Sequence, residues 1–174
     1  MYKLIVFIGP TGAGKSSLML ELVRNLSDRL AIIKSLTSRP RRGSEDDHFY
    51  QFVSREEIEK RKTEGRIFQV TEYAENFYAN DKQDMDRLLN SKYGLIALVE
   101  ESIACFKDAG YDLIVVRIKP KNNPGVLDAI RTAEDTKHAA VPVKTDLELV
   151  NSFKPGGREQ AIRQLFEFIH KTLV

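Results

Sequence analysis

Eight consecutive residues, Gly9-Pro10-Thr11-Gly12-Ala13-Gly14-Lys15-Ser16, have the types and spacing needed to hold a chain of phosphates. They satisfy the pattern G-x-x-x-x-G-K-[ST]. Gly9, Gly12 and Gly14 let the backbone turn tightly and present N–H groups to phosphate oxygens. A helix beginning at Lys15 would add the positive end of its dipole. Lys15 is a cation placed for the β- and γ-phosphates, and the Ser16 hydroxyl is a candidate ligand for Mg2+. With Ser17, residues 9–17 form the candidate ATP site. The loop points to a nucleoside triphosphate, but it does not say where the phosphoryl group goes.

A second block carries charge. Arg39, Arg41 and Arg42 lie within four residues, in the polar run from Thr37 to Asp47 that follows a short strand. Ligands of α/β proteins bind at the carboxyl edge of the sheet, where this run begins. Planar guanidinium forks there suit a second phosphate. A solvated basic loop is the plainer alternative for the segment taken alone. Glu45, Asp46 and Asp47 follow it; they are candidates to contact Mg2+ or a base, with a solvated acidic loop as the plainer reading.

The run Thr37-Ser38-Arg39-Pro40-Arg41-Arg42-Gly43-Ser44-Glu45, then Tyr50 and Phe52-Val53-Ser54-Arg55-Glu56-Glu57, resembles the monophosphate-binding segment of the guanylate kinase family. Asn76-Phe77-Tyr78 is similar to that family's later N-Y-Y-G stretch. The likeness runs from the first strand to about residue 120. It implies a P-loop kinase fold: an α/β three-layer sandwich with a central parallel sheet and a small mixed β/α segment, residues 36–80, for the acceptor. It implies ATP-dependent phosphoryl transfer to a nucleoside monophosphate, with GMP or dGMP as acceptor and Mg2+ as cofactor. By position, Ser35, Arg39, Arg42, Tyr50 and Tyr78 would hold the acceptor's phosphate and sugar. Lys15, Arg39, Arg42 and Arg131 would carry the catalysis, and Arg41 would face solvent.

Three positions depart from the family pattern. Gln69 stands where the family has a glutamate that pairs with guanine; Glu72 is an alternative if the register slips. The family's D-x-D reads Leu98-Val99-Glu100 here, so the magnesium-side acid is replaced and Glu100 matches the acid that meets the base. The lid, residues 119–131, is about twenty residues shorter than the family's, the kind of deletion surface segments tolerate. Arg131 matches a later lid arginine, and the earlier one has no counterpart. These departures leave two other readings open: a nucleotide-binding module with little activity, and a kinase of the same fold with another phosphorylated acceptor.

The elements that must position these residues follow from periodicity. Continuous apolar runs at Leu4–Ile8, Gly94–Val99 and Leu113–Ile118 read as strands covered on both faces. Ala31–Ile33, Phe49–Val53 and Leu147–Val150 read as shorter strands, and Arg66–Tyr73 as largely strand. Leu18, Met19, Leu22, Val23 and Leu26 draw one helical stripe, and Ala161, Ile162, Leu165, Phe166, Ile169 and Leu173 another. Ser54 with Glu57 forms a capping box for a helix ending at Gly65. Helices are also expected over Asp81–Asn90, Ser102–Ala109 and Leu127–His138, with a loop over Pro120–Gly125. Alternating strands and helices make one domain of 174 residues built on a parallel sheet.

Composition narrows the class. The chain is 42% hydrophobic and 30% charged, which excludes disorder as its main state. A net charge of +2 names no polyanionic partner, so nucleic acid is not expected. No apolar run is long enough to span a bilayer. The single cysteine, Cys105, has no intramolecular partner and is expected to pack on a helix's core face. His48, His138 and His170 lack metal-ligand spacing. A cytoplasmic monomer or homodimer is expected.

Overall fold

The computed structural model describes residues 2–121, 129–152 and 154–173, with the backbone alone at 129–131 and 134. Its centre is a five-stranded parallel sheet. The strands are β1 (Leu4–Ile8), β2 (Leu30–Ile32), β7 (Tyr93–Ala97), β8 (Leu113–Lys121) and β9 (Leu147–Ser152), in the spatial order β2-β7-β1-β8-β9. β1 is central and buried along its whole length, as its unbroken apolar run requires.

Alternation along β1 divides the core in two. Ile5 and Phe7 face α1 (Lys15–Asn25) and α6 (Gly157–Thr172), packing with Leu18, Leu22, Leu165 and Ile169. Leu4, Val6 and Ile8 face the other side. There they meet Met85 and Leu89 of α3 (Lys82–Leu89) and Ile103 and Phe106 of α4 (Ser102–Asp108). The result is the α/β three-layer sandwich, and each cluster buries enough apolar surface to fix its helices on the sheet.

A second, four-stranded mixed sheet holds β3 (Ser35–Thr37), β4 (Tyr50–Phe52), β5 (Val70–Tyr73) and β6 (Asn76–Ala79), in the order β4-β3-β6-β5. α2 (Arg55–Thr63) covers it through Ile58, which packs with Leu36, Ile67 and Ala79. The Ser54 cap holds, with its hydroxyl accepting from the Glu57 N–H at 3.2 Å. Asp81, 3% exposed, caps α3 through the Gln83 N–H at 3.0 Å and also accepts from Arg61 and Arg66. This buried carboxylate ties α2 to α3. Its charge is acceptable there because two guanidinium groups and a backbone N–H meet it.

Four expectations change. Residues 66–69 are not strand. β5 starts at Val70 and turns back as β6 through Ala74 (φ 47°) and Glu75 (φ 62°). No glycine marks that hairpin; Asn76 Nδ2 donating to the Ala74 carbonyl at 2.6 Å and Arg55 Nη2 donating to the Glu75 carbonyl at 2.8 Å hold it. Pro120 and Lys121 belong to β8, paired with Asn151 and Ser152, and do not begin a loop. Proline is tolerated at this strand end because it has no N–H to leave unpaired. The rest of the expected loop, residues 122–125, lies outside the described residues, and α5 (Ala129–Ala139) follows. Ser44–His48 forms a 3-10 turn within the expected loop. Cys105 is half-buried at the edge of α4, whose core face is Ser102, Ile103 and Phe106. No described helix is long and apolar enough to cross a membrane.

Gly9 shows how tightly the sheet grips the loop that follows β1. Its φ is +131°, and a Cβ there would sit 2.3 Å from the Ile118 carbonyl oxygen of β8. A backbone atom in a paired strand cannot step aside. Gly9→Ala should therefore lower the unfolding free energy by about 2–4 kcal/mol in urea titration. A loss below about 0.5 kcal/mol, the ordinary scatter of surface substitutions, would show that the loop is less constrained than this contact implies.

Candidate functional site

The loop between β1 and α1 lies at the carboxyl edge of the central sheet, where a parallel α/β fold places its ligands. Gly14 (φ +92°) is the N-cap of α1 and offers no side chain, so the first N–H groups of the helix are left for an anion. The Lys15 ammonium donates to the Gly9 carbonyl at 2.6 Å and the Pro10 carbonyl at 2.8 Å. Burial pushes its pKa down to about 8, against the opposing pull of Asp135 and Glu100. Ser16 and Ser17 are exposed beside it, while Ala13 is buried.

Two residues that the sequence did not single out brace this loop. Asn151 of β9 donates from Nδ2 to the Ala13 carbonyl at 2.8 Å. Asp135 of α5 accepts from the Thr11 N–H at 2.9 Å, the Thr11 hydroxyl at 3.2 Å and the Tyr73 hydroxyl at 2.9 Å. The Thr11 and Tyr73 hydroxyls are themselves 2.6 Å apart. One carboxylate thus joins the loop, α5 and the β5–β6 hairpin. Neither residue stands in a recognisable motif, and only the topology brings them to the loop.

The arginine run is more ordered than a solvated loop. Arg39 is only 5% exposed. Its Nη2 lies 3.1 Å from Asp46 Oδ2, and its guanidinium sits 4.9 Å from the centre of the Tyr50 ring. Tyr78 meets Tyr50 edge-on at 6.0 Å. Asp46 also accepts from the Arg42 N–H at 2.8 Å. Burial opposes ionisation of Asp46, but the hydrogen bonds from Arg39 and Arg42 outweigh it and hold its carboxyl below the usual range. Asp47 pairs with exposed Arg41. Asp46 and Asp47 therefore shape the arginine run, a role the reading of these acids as solvated did not foresee.

A cavity of about 750 Å³ joins the two halves. Gly9, Thr11, Gly12, Gly14, Lys15, Ser16 and Ser17 line it from the loop side. Ser35, Arg39, Arg42, Tyr50, Gln69 and Tyr78, from the strands of the mixed sheet and the segments that adjoin them, line the opposite side. Its wall also includes Thr71, Tyr73, Asn80, Leu98 and Ser102. Asn80 Nδ2 donates to the Ser35 hydroxyl at 3.0 Å. Pro10 lines a smaller neighbouring cavity instead.

Two expected acceptor-site residues are not brought to the main cavity. Glu72 alternates with Thr71 and Tyr73 along β5; those two face the cavity, so Glu72 faces solvent. Glu100 lines the smaller cavity and accepts from Arg117 Nη1 at 2.8 Å, a bond that holds it away from the acceptor side. Phe77 packs in the α2 cluster beneath Arg55. The side chain of Arg131 lies outside the described residues.

A parallel sheet carrying a glycine-rich anion loop at its carboxyl edge, with a second cationic cluster across a shared cavity, defines a P-loop kinase fold. The chain belongs to the guanylate kinase family, whose model matches residues 1–152. It is 34% identical over 98 residues to a guanylate kinase of Rubrobacter xylanophilus, covering 56% of this chain and 51% of that protein. It is 24% identical over 172 residues to a guanylate kinase of Bdellovibrio bacteriovorus, covering 98% and 88% respectively. Against the first of these, the chain spans about half the relative's length. A crystal structure of guanylate kinase from Anaplasma phagocytophilum superposes with a TM-score of 0.66 at 18% identity, covering 98% of this chain and 85% of that one, and shares the fold.

Proposed function

We propose that the protein transfers the γ-phosphoryl group of ATP to a purine nucleoside monophosphate, GMP or dGMP in the first instance, giving ADP and the diphosphate. One observation carries this reading: a single cavity is lined by the phosphate loop on one side and by Arg39, Arg42, Tyr50 and Tyr78 on the other. Phosphoryl transfer asks chiefly for positioning and charge neutralisation. Lys15 would offset charge on the β- and γ-phosphates. Arg39 and Arg42 would hold the acceptor phosphate against the triphosphate despite their like charge. No covalent enzyme intermediate is needed.

The side chains suit a Mg2+ ion carried by the nucleotide. Ser16 offers a hydroxyl beside the loop, Leu98 stands where the family places an acid, and no cluster of three acidic, histidine or cysteine ligands exists among the described residues. Such an ion would be held mainly by phosphate oxygens and water and would neutralise charge on the transferring group. We further propose a cytoplasmic protein, monomeric or homodimeric, without nucleic-acid partners.

The test is ADP release with MgATP and GMP, dGMP, AMP, CMP, UMP or a ribose phosphate, against a control without acceptor. Turnover with GMP or dGMP supports the proposal. Leu98 favours the second reading, a binding module, for which GMP would bind with no turnover. Turnover with the ribose phosphate alone would keep the fold and overturn the acceptor.

The depressed pKa of Lys15 gives a further expected result. In the unliganded loop its ammonium loses its proton near pH 8. Phosphates favour the charged form, so the pKa rises on binding. ATP binding at about pH 9 should take up close to one proton, and at about pH 6.5 none through this group. Calorimetry in two buffers of different ionisation enthalpy measures the uptake. Equal uptake at both pH values would contradict it.

A further inference from the structure

We infer that Asp135 and Tyr73 are positioning residues: their hydrogen bond clamps the far end of the acceptor segment to the phosphate loop and so sets the separation of the two phosphate sites. This rests on the proposed phosphoryl transfer and deepens it. The acceptor segment leaves the central sheet after β2, at residues 33–34, and returns to α3 at residues 80–81. Those two connections lie side by side, because Leu36 pairs with Ala79. The bond from Gln69 to Ser102, 3.1 Å, adjoins the same end, next to the pair Val70 and Ala79. Tyr73 and Asn76 close the opposite end of the hairpin, three residues along each strand and roughly 10 Å away. A segment anchored at one end pivots about it unless the other end is also held.

Asp135 holds that other end. Its Oδ2 accepts from the Thr11 N–H, and its Oδ1 from the Tyr73 hydroxyl at 2.9 Å. His138, one turn further along α5, stacks on the Tyr73 ring at 5.8 Å. One face of α5 thus grips Tyr73 by hydroxyl and by ring. From Tyr73 the placement passes to the acceptor side. The Ser38 N–H donates to the Phe77 carbonyl at 3.1 Å, and the Phe77 N–H to the Ser38 hydroxyl at 2.9 Å. Ser38 adjoins Arg39 and Phe77 adjoins Tyr78, so the hairpin carries both acceptor-side groups with it. On the other side, Thr11 belongs to the loop whose Gly9 and Pro10 carbonyls hold Lys15. The clamp therefore fixes Arg39 relative to Lys15. Transfer between two phosphates tolerates little error there: a displacement on the order of 1 Å can cost roughly 100-fold in rate.

Asp135 is also the charge that does most to keep Lys15 protonated, so replacing it alters the loop's electrostatics as well as its placement. Tyr73→Phe is the cleaner variant. It deletes the hydroxyl and keeps the ring that packs on His138 and, at 6.5 Å, on Tyr78. The test measures kcat and both KM values. Calorimetry adds dissociation constants for ATP, for GMP and for a bisubstrate probe, adenosine and guanosine linked through a pentaphosphate. The probe spans both sites, so its affinity depends on their separation, whereas each nucleotide alone reports one site. In Tyr73→Phe, kcat and probe affinity should each fall by about 10-fold or more, with the constants for ATP and GMP alone changed by less than about threefold. Asp135→Asn should weaken the probe less in the Tyr73→Phe background than in the wild type, since one contact cannot be lost twice. Unchanged kcat and probe affinity, or effects of the two substitutions that simply add, overturn the inference. So does a loss of GMP affinity alone by about 10-fold or more, which would make Tyr73 a direct acceptor contact. A wild type that binds the probe no more tightly than ATP overturns the parent reading and this one with it. Binding without turnover removes only the phosphoryl transfer, and the probe's affinity still decides whether the clamp sets the separation.

Discussion

Lys15→Met should reduce ADP formation by about 10³-fold or more while leaving the protein at least as stable as the wild type at neutral pH. The activity loss follows because Lys15 is the cation in the phosphate loop, where charge on the transferring group must be neutralised. The stability result follows from its pKa of about 8 against an ordinary 10.5. A lysine whose pKa falls on folding is penalised in its charged form. Below about pH 8 both folded and unfolded chains keep the proton, and the penalty is fully present. Between about 8 and 10.5 the folded chain gives up its proton first, so wild-type stability rises with pH relative to the variant. Such a trade between activity and stability is common where a charge is held ready for a ligand. Thermal unfolding at pH 7 and pH 9.5, beside the ADP assay, measures both halves. A variant that keeps wild-type turnover would remove the phosphate loop from the chemistry. One that loses activity only by unfolding would leave the role of the ammonium unsupported.

Arg39→Ala should raise the acceptor's KM by about 100-fold and lower kcat, with the KM for ATP changed by less than about threefold. Arg39 is nearly buried, lies against the Tyr50 ring and is oriented by Asp46, so its fork is aimed before any acceptor arrives. Preorganised donors of this kind act on charge without reorganising at the moment of reaction. Arg39→Lys should recover little, because an ammonium cannot reproduce the bidentate fork or its stacking on Tyr50. An equal rise in both KM values would point to a general loosening of the cavity. No change in either would place the acceptor phosphate away from this guanidinium.

The contrast between Arg39 and Glu100 shows which parts of the site a sequence can reveal. Residues 9–16 are contiguous, and each has a local reason for its place: a tight turn, a helix start, a cation. The loop and its flanking strand and helix were therefore legible. So were the buried strands and the capped helices, since their signals repeat within a few residues. Arg39 was legible through its run of neighbours, although its burial and its bond to Asp46 were not. Glu100 matched a position in a pattern, but Arg117, seventeen residues on, takes its carboxylate. The β5–β6 hairpin escaped because Ala74 and Glu75 adopt positive φ without the glycine that usually marks such a turn.

Local chemistry by itself determined the parallel α/β sheet, the anion-binding loop with Lys15 and Ser16, and a second cationic cluster at the same sheet edge. The tertiary structure alone decided that Asp135 and Asn151 brace that loop, that Glu72 turns away and that Glu100 is taken by Arg117. It also decided that the Gln69 amide donates to the Thr71 and Ser102 hydroxyls. The physical reason is range. Turns, caps and hydrophobic periods act between residues a few positions apart, so they are written along the chain. Which carboxylate keeps its partner and which faces the cavity depends on side chains that come together only when the sheets and helices have packed.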